Sequence, residues 1–316
     1  MTARRKVTLL AGGVGGAKMA EGLAALKDVD LSIIGNVADD DAFHGLWVSP
    51  DIDTLTYSLA GVIDRVQGWG VADEGLRALE TLKTLGQSTW MTLGDRDLGL
   101  HIYRTMRRAR GDRPSDIAAD VAAAFGVNAK IVLPTDENLR TVVQTDAGTM
   151  TFQEYFVRER CRPTVSGIDF EGLSAARATP EAIAALRGAD LVVIAPSNPL
   201  VSIGPIIALP EIRNALQSAP GRKVAVSPLI AGQAVKGPAA AMMTSMCFRA
   251  DAVGVAKIYA GLIDTMVVDN QDAALADEIA ALGMDVHGTN IMMRDQADKA
   301  RLAGALLAMP ARTVPA

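Results

Sequence analysis

The chain has 316 residues, and its 31 lysines and arginines against 36 aspartates and glutamates give a formal net charge of −5. This acidic balance argues against a nucleic-acid-binding protein, which usually needs a basic surface. Apolar residues make up 49% of the sequence, but their runs are far shorter than the roughly 20 residues that span a bilayer. Glycine at Gly12 also interrupts the apolar stretch that a signal peptide would need. We therefore expect a cytoplasmic globular protein that binds neither nucleic acid nor membrane.

Cysteines and histidines are few and scattered. Cys161 and Cys247 lie far apart, outside any spacing typical of a disulfide framework or a zinc site. The three histidines, His44, His101 and His287, show no metal-ligand spacing. No serine lies in the glycine-flanked motif of serine hydrolases. These patterns exclude zinc-enzyme and serine-hydrolase chemistry from the sequence-based hypotheses.

Short apolar runs predict five buried strands, in chain order 6–10, 31–34, 190–195, 223–226 and 265–269. A helical spacing of apolar residues follows the first strand, over 18–26. Aromatic residues are only 4% of the chain, so aliphatic side chains must fill the core, as in a parallel sheet with helices on both faces. The pattern predicts an α/β fold with a doubly wound, mostly parallel, Rossmann-like sheet.

The segment between the second and third of these strands has a different texture. Helical stretches are predicted near 54–66, 73–85, 97–110 and 114–125, and 130–157 is more strand-like. No flexible linker, repeat or low-complexity segment separates it from the rest. We expect one domain over 1–316. Its Rossmann-like core is formed by about 1–50 and 185–316, and a largely helical insertion over about 54–185 partly covers the sheet.

A glycine cluster, Gly12, Gly13, Gly15 and Gly16, lies where the first strand passes into a helix, and Lys18 follows it. Glycines let a ligand approach the backbone closely, and the free N–H groups of a helix start favour an anion such as phosphate. The cluster departs from both common motifs. A dinucleotide fingerprint has glycine where Lys18 stands, and a Walker A loop has lysine and then Ser or Thr directly after its last glycine. A tight turn without a ligand remains the alternative.

Carboxylates gather after the second strand, at Asp39 beyond Asn36 and at Asp51 and Asp53. Acidic side chains near a phosphate loop are suited to Mg²⁺, which prefers oxygen ligands and binds together with substrate phosphate. A turn or a helix N-cap is the alternative for each of them. Because Asp51 could cap the helix alone, we expect Asp53 to remain free to face the cleft.

Two further loops carry polar side chains. Ser197 and Asn198 follow the third predicted strand, facing the glycine cluster across the sheet edge, where a diphosphate and a base would fit. The segment 93–97 places Arg96 between Asp95 and Asp97. That arginine is interpreted either as a phosphate-binding group or as half of a surface ion pair.

Six motifs in register resemble those of the 2-phospho-L-lactate transferase family of coenzyme F420 biosynthesis. The resemblance covers about 7–293 and rests on the following segments, in chain order: Gly12-Gly13-Val14-Gly15-Gly16-Ala17-Lys18, Ser49-Pro50-Asp51-Ile52-Asp53-Thr54, Leu93-Gly94-Asp95-Arg96-Asp97, Phe152-Gln153-Glu154-Tyr155-Phe156-Val157, Pro196-Ser197-Asn198-Pro199 and Ser227-Pro228-Leu229-Ile230.

The resemblance implies transfer of a phospho-hydroxyacid group from a guanosine-diphosphate-activated donor, such as (2S)-lactyl-2-diphospho-5'-guanosine, to Fo. Fo is a deazaflavin with a ribitol chain, whose terminal hydroxyl attacks the phosphorus that bears the acid. GMP leaves, and F420-0 or a close analogue forms. The resemblance also implies Mg²⁺ as cofactor. A homodimer is the common outcome for soluble enzymes.

Site residues follow from the matching motifs. Asp53 and Thr92 would contact Fo, and Asp39 and Asp53 would be the catalytic and metal-binding carboxylates. The nucleotide and its phosphates would lie against Gly12, Gly13, Gly15, Gly16, Lys18, Asn36, Ser197 and Asn198. The chain departs from the family in two places: Thr92 stands where relatives can have lysine, and 36–40 reads Asn-Val-Ala-Asp-Asp instead of Asn-Thr-Gly-Asp-Asp.

Two other functions stay open at this point. One is an NAD(P)-dependent oxidoreductase that uses the glycine cluster, and the other is a nucleotide-sugar-binding regulatory protein on the same fold. The sequence leaves the acid of the donor open among phospholactate, phosphoenolpyruvate and phosphoglycerate.

Overall fold

The computed structural model describes residues 4–309. Seven strands form its central sheet, in chain order Arg5–Ala11 (β1), Val29–Gly35 (β2), Lys130–Val132 (β3), Leu191–Ile194 (β4), Arg222–Val226 (β5), Thr265–Asp269 (β6) and Asp285–Thr289 (β7). Every neighbouring pair is parallel. The spatial order is β7-β6-β5-β4-β1-β2-β3. This is the predicted doubly wound α/β sheet, and its order reverses between β1 and β4, where such folds bind ligands.

All five predicted strands are confirmed as β1, β2, β4, β5 and β6. The sequence did not predict β3 as part of this sheet, because it has only three residues. β7 was missed because it is an edge strand with polar, partly exposed residues and no apolar run. β3 lies inside the segment 54–185, so the chain returns to the sheet once within the predicted insertion.

The α-helices of the described residues are, in chain order, Gly13–Ala24 (α1), Pro50–Ala60 (α2), Arg77–Thr84 (α3), Asp95–Ala109 (α4), Pro114–Ala124 (α5), Pro180–Arg187 (α6), Gly204–Ala208 (α7), Pro210–Gln217 (α8), Ala239–Ser245 (α9), Ala252–Ile258 (α10), Ala276–Ala280 (α11) and Gln296–Ala308 (α12). A π-helical turn covers Glu154–Arg158, and a 3₁₀ helix covers Asn270–Leu275. The glycine cluster is therefore the first turn of α1, five residues earlier than predicted.

Within the residues that the structure describes, three smaller antiparallel sheets accompany the central sheet. Arg140–Thr145 lies between Gly148–Thr151 and Val165–Glu171 in a three-stranded sheet. Two hairpins pair Asp41–Phe43 with Leu46–Val48 and Leu229–Ile230 with Gln233–Ala234. The segment 36–129 thus contributes four helices and a hairpin, and the three-stranded sheet follows β3.

The core lies on both faces of the central sheet. Successive residues of β1 point to opposite sides, because side chains alternate along a strand. Leu9 packs in the cluster that contains Met19 of α1 and Leu302 of α12, whereas Leu10 packs in the cluster that contains Leu186 of α6 and Leu216 of α8. Within residues 4–309, the helices are all too short or too polar to cross a membrane.

Candidate functional site

A cavity of about 640 Å³ opens at the carboxyl ends of β1 and β4, where the strand order reverses. Its floor is polar and is formed by Gly12, Gly13, Gly15, Lys18, Ser197 and Asn198. Four carboxylates reach it: Asp39, Asp51, Asp53 and Asp97. Its outer wall is aromatic and comes from the segments that cover the sheet, with Trp69, Trp90, Phe152 and Phe156. One cavity therefore joins a polar floor that carries a lysine to an aromatic wall.

The glycine cluster presents the start of α1 to this cavity. Gly13 has φ +62, a left-handed conformation that side chains other than glycine adopt at a cost. The Ser197 hydroxyl donates to the carbonyl of Gly12 at 2.7 Å and so joins the loop after β4 to the loop after β1. Gly16 does not line the cavity and instead packs against Ala11 and Ser197.

Asp51 braces the glycine cluster and does not serve as the helix cap that we expected. Its Oδ1 accepts the backbone N–H of Gly13 at 2.8 Å, and its Oδ2 accepts the amide of Asn36 at 3.0 Å. Ser49 holds the N-cap position of α2, and Asp51 lies in the first helical turn. Asn36 is fully buried behind the cavity wall. Asn36 thus supports the loop that would bind the nucleotide, and its direct contact with the nucleotide stays a prediction.

Three buried carboxylates lie close together with few cations beside them. Burial, followed by repulsion from Asp51 and Asp40, raises the pKa of Asp39 well above its ordinary value. Burial raises the pKa of Asp40 to about 7 and that of Asp51 to about 6. One buried oxygen of Asp39 and one of Asp40 have no hydrogen-bond partner among residues 4–309. A divalent cation would relieve this repulsion, which fits the oxygen-rich chemistry of Mg²⁺.

From the sequence we expected Asp53 to be free in the cleft. In the structure it is paired with Arg104 of α4. The guanidinium contacts both carboxylate oxygens, with Nη1 at 3.1 Å from Oδ2 and Nη2 on Oδ1. Both residues are buried, at 4% and 6% exposed. Burial opposes the charge of Arg104, but the attraction of Asp53 outweighs it and raises the pKa of Arg104. Bidentate pairs of this kind fix the orientation of a carboxylate.

His101 continues this contact toward Asp97. Arg104 Nη1 lies 3.3 Å from His101 Nδ1, and His101 Nε2 lies 3.3 Å from Asp97 Oδ2. The Tyr57 hydroxyl donates to Asp97 as well. Burial alone would raise the pKa of Asp97, but the nearby His101 ring and the hydrogen bond from Tyr57 lower it.

The donor atoms of Asp53, Asp97 and His101 are close enough to surround a metal ion. The hydrogen bonds of these side chains argue against a metal ion at this position. A guanidinium has only donors, so Nδ1 of His101 must accept from Arg104 and Nε2 carries the ring proton. A protonated Nε2 cannot ligate a metal. Arg104 also supplies the positive charge that Asp53 requires, so this group fits an ion-pair network better than a metal centre.

Lysines provide positive charge in the same cavity. Lys18 and Lys236 both line it, and the Lys236 ammonium donates to the carbonyl of Gln67. Burial, followed by repulsion from Lys299 and Lys236, lowers the pKa of Lys18. A bound diphosphate would offset that repulsion. The cavity thus contains both lysines and carboxylates, and Asp51 lies directly at the start of α1.

The remaining predicted residues separate into two groups. Thr92 is exposed at the cavity rim. Arg96 lies at the surface outside the cavity lining, and its guanidinium donates to the carbonyl of Ala72, so the predicted surface ion pair is not formed among residues 4–309. Asp95 accepts the N–H groups of Arg77 and Ala78 at the start of α3. Sequence reasoning missed Arg104, although Asp97, His101 and Arg104 are spaced four and three apart, which places them on one helix face.

Comparison with known proteins gives a consistent result. The family model described as 2-phospho-L-lactate transferase CofD matches residues 7–301. A 2-phospho-L-lactate transferase from Methanopyrus kandleri is 37% identical over 306 residues, 96% of each chain. A phosphoenolpyruvate transferase from Streptomyces griseus is 36% identical over 92% of this chain and 93% of its own. The crystal structure of protein BH3568 from Bacillus halodurans has a TM-score of 0.63 at 16% identity, covering 96% of this chain and 99% of that one, and so shares the fold.

Proposed function

The chain belongs to the 2-phospho-L-lactate transferase family of coenzyme F420 biosynthesis, and from this premise we propose the following reaction. The enzyme transfers a phospholactyl or similar group from a guanosine-diphosphate-activated hydroxy acid to the ribitol hydroxyl of Fo. GMP is released, and F420-0 or a close analogue is the product. The observation that supports this most is the single cavity that combines a phosphate-binding floor with an aromatic wall.

The donor diphosphate would lie on the floor of the cavity. The first turn of α1 offers backbone N–H groups, and helix starts attract anions through these groups and the helix dipole. Lys18 and Lys236 add two positive charges on that side, and Ser197 and Asn198 offer polar contacts from the loop after β4. The nucleotide would then lie across the point where the strand order reverses.

Mg²⁺ would be held by Asp39 and by the neighbouring Asp51. One buried oxygen of Asp39 has no hydrogen-bond partner in the described part of the chain. When bound, the ion would supply neutralisation of the diphosphate charge. Asp53 was also predicted as a metal ligand, but the cationic guanidinium of Arg104 contacts both of its oxygens, whereas Asp51 accepts only from neutral donors. We therefore assign Asp53 to the acceptor and not to the metal in this proposal.

The acceptor would lie between Asp53 and the aromatic wall of the cavity. Trp69, Trp90 and Phe156 offer flat apolar surface for the deazaflavin ring. Asp53 and Thr92 line the same cavity, and a carboxylate oxygen can accept more than one hydrogen bond. In this arrangement Asp53 accepts a hydrogen bond from the terminal ribitol hydroxyl and orients it. The hydroxyl passes its proton to the Asp53 carboxylate as the new P–O bond forms, and the electron pair of the broken P–O bond leaves on the phosphate of GMP. Catalysis comes mainly from positioning and charge stabilisation.

Fluorescence titration with Fo tests the acceptor site, with the deazaflavin's own emission as the probe. The titration is carried out with and without GDP and Mg²⁺. Saturable binding that strengthens when GDP and Mg²⁺ are present would support the proposal. Absence of binding under every condition would refute it and favour a nucleotide-sugar-binding regulator. Turnover assays with phospholactyl, phosphoenolpyruvyl and phosphoglyceryl donors then identify the acid.

We further propose that the chain acts as one transferase domain in a cytoplasmic homodimer. Both substrates are small polar molecules, and homodimers are the commonest assemblies of soluble enzymes. Light scattering of the eluting protein measures the assembly mass directly. A mass of one chain at micromolar concentration would refute the dimer.

A further inference from the structure

A row of side chains on α4 reaches from Asp97 through His101 to Arg104 and ends at Asp53 of α2. We propose that His101 is a positioning residue. Its Nδ1 accepts from Arg104 on one side and its Nε2 lies 3.3 Å from Asp97 on the other, and it thereby helps to fix the guanidinium that holds Asp53 at the cavity wall. The inference rests on the proposed function in one respect, that Asp53 contacts the acceptor.

The tautomer follows from the partners of the ring. Arg104 Nη1 at 3.3 Å can only donate, so Nδ1 is the acceptor. The remaining ring nitrogen, Nε2, then carries the hydrogen and faces a carboxylate oxygen of Asp97 at 3.3 Å. Asp97 is itself held by the Tyr57 hydroxyl. The contact with Arg104 therefore fixes the ring on one side, whereas Nε2 lies near Asp97 without the geometry of a hydrogen bond.

Burial makes the row rigid. His101 is 1% exposed, so water cannot easily replace its contact with Arg104. Side chains held by packing and by hydrogen bonds keep a reactive group within the small tolerance that catalysis needs. The identity of the residue at 101 should thus affect the placement of Asp53 even though His101 does not contact the reacting atoms.

A competing partner explains why Arg104 needs a second contact. Arg104 interacts electrostatically with Asp40 as well as with Asp53, and one buried oxygen of Asp40 has no hydrogen-bond partner among the described residues. Without the acceptor at His101 Nδ1, the guanidinium keeps its bonds to Asp53 and its 3.5 Å contact with the Trp47 carbonyl, but one contact that opposes the attraction of Asp40 is lost. His101 therefore helps to hold the guanidinium on Asp53 against that attraction.

Two substitutions separate positioning from a merely structural role. In His101→Asn the amide oxygen takes the place of Nδ1 and can accept from Arg104, whereas in His101→Gln the amide reaches the place of Nε2 and faces Asp97. We expect His101→Gln to lower kcat with Fo about 100-fold, the size of effect that a small misplacement produces, with little change in KM for the lactyl-diphosphoguanosine donor. His101→Asn should recover most of that loss. His287→Gln, on the edge strand β7, is the matched control.

A second measurement does not depend on turnover. The chain has only three histidines, so ¹⁵N NMR of histidine-labelled protein gives few ring signals, and His101→Asn assigns those of His101. We expect a neutral ring with its hydrogen on Nε2. A hydrogen on Nδ1, or equal kcat for the Asn and Gln variants in an active enzyme, would overturn the proposal. An inactive wild-type protein would instead refute the proposed function, and the ring signals would still test the row.

Discussion

Gly15 of α1 lies so close to Pro196, after β4, that a Cβ atom at Gly15 would be 2.1 Å from the Pro196 carbonyl oxygen. The backbone of one loop therefore occupies the space that a side chain of the other would need. This close approach brings the start of α1 and the Ser197 loop together on one cavity floor. The glycine at this position is required by the junction of two loops, whether or not a ligand is bound.

Gly15→Ala should lower stability and weaken nucleotide binding together. Overpacking of this kind typically costs about 1–3 kcal/mol, and the two loops would have to separate. Gly304→Ala in α12 is the control, because no atom lies within 4 Å of a Cβ there, and alanine in a helix is favoured over glycine by roughly 0.5–1 kcal/mol. Thermal unfolding and GDP titration of both variants measure the effect. A Gly15→Ala protein as stable as the wild type would contradict the close approach.

The sheet was largely predictable because most of its strands are short runs of apolar residues. Five of the seven strands were found in this way, and the two that were missed are short or polar. The cavity floor was predictable too, because glycines, serine and asparagine follow β1 and β4 in the sequence. The partners of the acids were not predictable. Arg104 lies 51 residues from Asp53, and only the packing of α4 against α2 brings the two together.

Asp53→Asn should lower turnover about 10²- to 10³-fold, comparable to the loss of one preorganised polar contact at a reacting centre. The structure adds a cost in stability, because the substitution leaves the buried charge of Arg104 without its carboxylate. Breaking a buried pair typically costs about 3–5 kcal/mol. Unchanged turnover at saturating Mg²⁺ would remove Asp53 from the mechanism.

A double-mutant cycle with Arg104→Met tests the pair itself. Arg104→Met alone leaves the Asp53 carboxylate buried without its cation, whereas the double variant leaves neither charge. We expect the double variant to be less destabilised than the sum of the two single variants, since contacting residues couple. Chemical denaturation of the four proteins measures this coupling. Strictly additive effects would show that the contact contributes nothing.

Asp39→Asn should abolish the stabilisation of the protein by Mg²⁺. In the wild type, Mg²⁺ that binds only the folded state raises the melting temperature by mass action. The variant loses the carboxylate with the unpaired buried oxygen. Asp277→Asn, an exposed carboxylate on α11, is the matched control. A Mg²⁺-dependent shift that persists in Asp39→Asn would place the cation elsewhere.

Thr92→Lys should strengthen Fo binding. Thr92 is exposed at the rim of the cavity, where an added ammonium would remain solvated and would face the polar chain of the acceptor. Exposed ionic contacts contribute about 0.2–1 kcal/mol, which corresponds to at most about a fivefold gain in affinity. Thr92→Met, of similar length without the charge, is the control. Equal Fo titration curves for the two variants would show that a charge at this position does not reach Fo.

Lys18 should make the affinity for nucleotide fall as the pH rises through the alkaline range. Burial, together with the nearby Lys299 and Lys236, lowers the pKa of Lys18 in the free protein, and a bound diphosphate would raise it again. Below the pKa of the free protein, Lys18 is charged in both states and GDP affinity is independent of its protonation. Above that pKa, binding must take up a proton, so affinity falls by up to about tenfold per pH unit until the pKa of the complex is reached. The guanine of GDP titrates in the same way with the wild type and with Lys18→Met. The difference in the pH dependence of GDP affinity between the two proteins therefore reports Lys18 alone. Calorimetric titration measures the GDP affinity of both proteins between about pH 7 and pH 10. Parallel curves of affinity against pH would show that Lys18 does not contact the diphosphate.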